Sequence, residues 1–66
     1  MRIVANGEQR EVELGSSVAS FVRGAGLKPS QVVVEYNGRV LRKDEVETAT
    51  LSEGDRLEII LPVAGG

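Results

Sequence analysis

The chain has 66 residues, eight of them Lys or Arg and ten Asp or Glu, for a formal net charge of -2. Cysteine and histidine are both absent, which removes disulfides, thiolate metal sites, and the commonest general base and metal ligand. One small domain with a thin core is the economical reading, and these absences argue strongly against a self-sufficient enzyme. No apolar run approaches the roughly 20 residues of a membrane span, and the acidic balance with one Phe and one Tyr lacks the basic, aromatic footprint of nucleic-acid binding. A cytoplasmic protein with no membrane or nucleic-acid partner is expected.

In chain order, Arg2-Ile3-Val4-Ala5 opens as a strand and Asn6-Gly7 turns it, since both residues tolerate the positive φ of a type I′ hairpin. The return strand is predicted over residues 9–14, with Val12 and Leu14 alternating against Glu11 and Glu13. After Ser17, a plausible N-cap, the period changes from two to about 3.6. Val18, Phe21, Val22 and Ala25 then draw one apolar stripe on a short helix, which is too short to stand alone and must lie on a sheet. Gly26 sits where a left-handed glycine ends a helix, with Leu27 placed to pack back over the last turn.

Val32-Val33-Val34-Glu35-Tyr36 is the strongest strand signal, being β-branched and aromatic. Asn37-Gly38 turns it into a short strand over residues 39–41. Residues 42–50 form a polar connection with one helical turn near 43–46, and residues 56–61 make the last, most apolar strand, expected to be central and beside the first. The order is ββαβββ, an α+β domain with one helix packed on one face of a mixed sheet.

Alternation divides the faces of that sheet. Ile3, Ala5, Val32, Val34, Tyr36, Leu57, Ile59 and Leu61 are predicted to point at the helix. Val4, Val33 and Ile60 then emerge on the uncovered face beside Glu35 and Glu58, a candidate partner-docking patch weighed against an ordinary half-apolar sheet face.

At this point the sequence resembles a known family. The ββαβββ order followed by Gly65-Gly66 is similar to the ubiquitin-like, β-grasp sulfur carriers of the ThiS/MoaD family, and within them to ThiS. The resemblance rests on Asn6-Gly7-Glu8, Ser17-Val18-Ala19, Val32 through Gly38 as VVVEYNG, Glu53 through Ile59 as EGDRLEI, and the final pair. It spans nearly the whole chain.

The resemblance implies that a ThiF/MoeB-like adenylyltransferase uses ATP and Mg to adenylate the Gly66 carboxylate. A persulfide sulfurtransferase then supplies sulfur, and the thiocarboxylate donates it, for the thiazole of thiamine, to thiazole synthase or to another acceptor enzyme. The carrier itself binds no cofactor or metal, holds no catalytic residue and is a monomer when free. Alternatives are a protein modifier joined through Gly66 to target lysines, or a carrier for molybdopterin, tRNA thiolation or cysteine.

The residues agree with a reactive end. Ser and Thr hydroxyls have no histidine to activate them, and Glu11/Glu13 and Glu45/Glu47 read as solvated faces. A β-grasp domain over residues 1–61 and a flexible tail of Pro62, Val63, Ala64, Gly65 and Gly66 are expected. Glycine lets backbone enter a narrow partner channel and leaves the carboxyl carbon open. Pro62 has no N–H to extend a ladder and biases Leu61 toward extended backbone.

Overall fold

Two Asn-Gly pairs set the geometry of the sheet. Asn6 and Gly7 have φ of 51° and 80°, and Asn37 and Gly38 have 51° and 87°, the positive values of a type I′ turn whose twist suits paired strands. The first pair joins β1 (Arg2–Ala5) to β2 (Glu8–Glu11), and the second joins β3 (Val33–Tyr36) to β4 (Arg39–Val40). The computed structural model describes residues 1–62. Its last strand, β5 (Arg56–Ile60), lies between the hairpins, parallel to β1 and antiparallel to β3. The strand order is β2-β1-β5-β3-β4, and with the helix on one face this is the expected α+β, β-grasp arrangement.

The helix α1 (Val18–Gly24) starts at a reciprocal cap. Ser17 Oγ accepts from the Ser20 N–H at 3.0 Å, and Ser20 Oγ accepts from the Ser17 N–H at 3.0 Å, so orphan donors of the first turn are satisfied. It ends in a Schellman motif: the Gly26 N–H donates to the Arg23 carbonyl at 2.9 Å and the Leu27 N–H to the Val22 carbonyl at 3.1 Å. Gly26 has φ of 83°, the left-handed conformation that glycine adopts without a Cβ penalty. The buried stripe is Val18, Ala19 and Val22, with Phe21 half-buried. Ala25, predicted to join it, is instead the exposed C-cap, because the chain already leaves helical geometry there.

The boundaries differ most from the sequence reading in three places, while the strands read as 32–36 and 39–41 are each one residue shorter. The return strand stops at Glu11, and Leu14 is 85% exposed. The chain reverses between Glu13 and Ser16, where the Ser16 N–H donates to the Glu13 carbonyl at 3.1 Å. The helical turn expected over residues 43–46 is a longer helix, α2 (Lys43–Thr48). The Glu45 carboxylate accepts from the Arg42 N–H at 2.8 Å and caps its start, while Val46 buries its inner face. The last strand ends at Ile60 and leaves Leu61 exposed, since Ile60 pairs with Val33, the first residue of β3, and the register then runs out.

Ile3, Val18, Val22, Val34 and Leu57 are fully buried between sheet and helix, joined by Ala5, Val32, Leu41, Val46 and Leu51. Tyr36 and Ile59 face the same way and pack partly against them. Asp55 is the buried charged residue of this side. Its carboxylate accepts from Tyr36 Oη at 2.7 Å, Asn37 Nδ2 at 3.1 Å and the Ser52 N–H at 2.7 Å. Burial pushes the Asp55 carboxyl up, but these hydrogen bonds from Tyr36, Asn37 and Ser52 outweigh it and hold it below the usual carboxylate range. The same hydrogen bond, with burial and the nearby negative charge, raises the Tyr36 phenol above its ordinary value.

Candidate functional site

The sequence-predicted site residues fall into a sheet face and a tail. The tail residues Val63, Ala64, Gly65 and Gly66 lie outside the described residues, whereas Pro62 follows the end of β5 and is exposed. The site that can be built in detail is therefore the open face of the sheet and the point where the chain leaves it.

Register places the open face residue by residue. Val33 stands directly opposite Ile60 and Glu35 directly opposite Glu58, so four of the predicted residues form two adjacent cross-strand pairs. Val33 is 37% exposed and Ile60 44%, apolar area that the helix on the other side cannot cover. Val4 is on the same face but pairs with Arg56 and is half-buried. Ile60 is four steps along β5 from Arg56, about 13 Å of strand, so Val4 lies apart from the Val33–Ile60 pair.

One further residue belongs to the patch. Val40 is 57% exposed and stands opposite Glu35. The signal was present in the sequence, because a two-residue Asn37-Gly38 turn pairs Tyr36 with Arg39 and hence Glu35 with Val40. The patch thus carries Val33, Ile60 and Val40 around the carboxylates of Glu35 and Glu58. Two like charges directly across a ladder repel, and among the described residues neither is in an ion pair. The surface is complementary to an apolar partner face that also brings a cation.

Where the chain leaves the sheet, Asn6 has a part that its turn signal did not reveal. Its backbone N–H donates to the Leu57 carbonyl at 2.9 Å. Its side chain then reaches Ile59 twice: Oδ1 accepts from the Ile59 N–H at 2.7 Å and Nδ2 donates to the Ile59 carbonyl at 3.3 Å. A groove runs from this point beneath β2, lined by Val12, Leu14, Phe21, Leu27 and Ile59 with Glu8 and Arg10 at its rim. Glu8 and Arg10 pair with each other at 3.0 Å. Among the described residues no cluster of carboxylates could hold a metal ion, and no helix is long and apolar enough to cross a membrane.

Comparison with known proteins gives this geometry its context. The crystal structure of a thiamine biosynthesis protein (ThiS) from Geobacter metallireducens superposes with a TM-score of 0.81 at 26% identity, covering all of both chains. An NMR solution structure of a thiamine biosynthesis protein from the same organism gives a TM-score of 0.79 at 26% identity, over all of this chain and 88% of that one. Among curated proteins, a thiazole synthase of Magnetococcus marinus is 32% identical over 66 residues and one of Paramagnetospirillum magneticum is 30% identical over the same length. The match takes in all of this chain and 20% of each of those proteins, so the chain spans about a fifth of the length of the curated relatives it matches. The ThiS family model matches residues 3–66. With the β-grasp sheet and the near-complete match together, the chain belongs to the ThiS family.

Proposed function

We propose that this protein carries sulfur for the thiazole of thiamine as a thiocarboxylate on Gly66. The observation that carries the reading is the family match over residues 3–66, because the matched stretch includes Gly65 and Gly66. A carboxylate is a poor acyl donor. A ThiF/MoeB-like adenylyltransferase joins it to the α-phosphorus of ATP, with Mg on the phosphates, and pyrophosphate leaves. Persulfide sulfur from a sulfurtransferase then displaces AMP, and thiol cleavage of the resulting disulfide leaves the thiocarboxylate. In this reading the protein is a substrate and not a catalyst. Residues 1–61 supply the recognition surface, and residues 62–66 supply the segment that enters the partner.

Two features support the assignment of roles. The open face, with Val33, Ile60 and Val40 around Glu35 and Glu58, is the docking surface for the adenylyltransferase, with Val4 at its margin. The two relatives named thiazole synthase favour thiazole synthase as the sulfur acceptor over the other pathways. The test is intact-mass spectrometry after co-expression with the adenylyltransferase and sulfur donor. A fraction of the protein gains the mass of sulfur replacing oxygen at Gly66, and Gly65→Ala is modified more slowly, because its methyl crowds a narrow channel. Free acid alone, with both partners demonstrably active, would overturn the reading.

A further inference from the structure

The side chain of Asn6 completes a ladder that the backbone of β1 abandons. In the antiparallel pairing of β3 with β5, hydrogen-bonded and non-bonded pairs alternate. The Asn37 N–H donates to the Arg56 carbonyl at 2.8 Å, which marks Asn37–Arg56 as a bonded pair. By alternation Glu35–Glu58 and Val33–Ile60 are bonded pairs too, and Val34–Ile59 is not. The Ile59 N–H and carbonyl therefore face the β1 side. There the chain has already turned away at Gly7, and the Asn6 carboxamide supplies both missing partners.

The same device closes the opposite end of β5. Asn37 Oδ1 accepts from the Arg56 N–H at 2.8 Å, so one asparagine clamps each end of the central strand. Only the Asn6 clamp adjoins the exit of the tail. Beyond Ile59, Ile60 is held by Val33 on the β3 side, and Pro62 restricts Leu61. Leu61 is the one residue between the paired end of β5 and Pro62.

We propose that Asn6 is a positioning residue for the adenylation of Gly66, aiming the tail by holding Ile59 from the side that β3 does not reach. This rests on the adenylation reading above. Without the carboxamide the end of β5 is tied on one side only, and the strand can swing about its pairing with Val33. The direction in which the chain leaves the body at Leu61 and Pro62 is then no longer fixed, and a partner that must receive the segment in one orientation meets it less often in the productive one.

The experiment compares Asn6→Gly with Asn37→Gly in the full chain. Both substitutions keep the positive φ of their turns and remove one carboxamide clamp, so both lower the melting temperature. Asn6→Gly lowers kcat for adenylation, read as pyrophosphate release, by about tenfold, with KM little changed because the docking face is intact. Asn37→Gly keeps kcat within about twofold of the parent. In the free protein, ¹⁵N relaxation shows the Leu61 amide gaining fast mobility in Asn6→Gly alone. Asn6→Asp retains the acceptor for the Ile59 N–H and falls between. Equal kcat losses in the two glycine variants, or a Leu61 amide unchanged in Asn6→Gly, would overturn the proposal. If the parent protein itself is not adenylated, the functional reading fails, while the relaxation data still decide whether Asn6 holds the exit.

Discussion

The two faces of the sheet share one set of strands yet have opposite chemistry. On β5, Leu57 is fully buried under α1, while three residues later Ile60 stands 44% exposed on the other side. The covered face is aliphatic apart from Tyr36 at its margin and Asp55, whose carboxylate is fully hydrogen-bonded. The open face mixes valine and isoleucine with two facing glutamates. Side-chain alternation lets one strand serve both purposes. Stability is drawn from one face, so the other is free to carry residues that a partner reads.

The largest difference between the faces is tested by truncating the covered one. Leu57→Ala removes a side chain from the centre of the core and costs about 2–5 kcal/mol. A domain of this size holds only about 3–10 kcal/mol in total, so chemical denaturation finds the midpoint lowered by about half. A midpoint close to the parent's would mean that the core does not depend on this strand.

Asp55 is the polar exception on the covered side. Asp55→Asn leaves its three donors imperfectly matched and costs about 1–3 kcal/mol near neutral pH. The sign of the pH effect follows from the depressed carboxyl. Its contribution is complete above the unfolded Asp value of about 3.9 and is lost as pH falls through the lower folded value. Thermal melts of the parent therefore drop across that acid window, and melts of Asp55→Asn drop less steeply. A residual slope comes from Asp44, lowered chiefly by its hydrogen bond with the Arg42 side chain, and from Glu45, lowered chiefly by the Arg42 backbone N–H and then by Arg39.

The smallest expected cost in stability belongs to the open face. Ile60→Asp costs about 1 kcal/mol, from lost strand propensity and the crowding of carboxylates. The same substitution weakens adenylyltransferase binding by about tenfold or more, because it sets a third carboxylate beside Glu58 and removes an apolar contact. Calorimetry with the purified partner measures it. Unchanged affinity would take the docking role away from this face.

Much of this division was legible in the sequence, and the reasons are local. The Asn-Gly pairs, the Ser17 cap and the Gly26 stop each act through a few neighbouring residues, so residue type alone predicts them. Alternation likewise placed Val33, Glu35, Glu58 and Ile60 on one face. The failures arise where a residue's fate depends on distant chain. Leu14 alternates correctly but lies beyond the reach of β1. Leu61 continues an apolar run whose partner strand begins at Val33 and offers nothing further. Asn6 reads as a turn former, and no local rule announces that its side chain also bonds a strand far along the chain.

The placement of β5 also governs how the chain can be assembled. Each hairpin is local and can form as soon as its residues are available, but a lone two-stranded hairpin is marginal in water. The strand that joins them is the last of the five to be synthesised. Until Arg56 through Ile60 arrive, β1 and β3 have no common neighbour, and Ile3 and Val34 cannot share a core. A nascent chain therefore stays open to proteases and chaperones until Arg56 through Ile60 have been made, and a copy cut short before Arg56 keeps that exposure. Late closure of this kind admits to the folded pool only copies that carry β5.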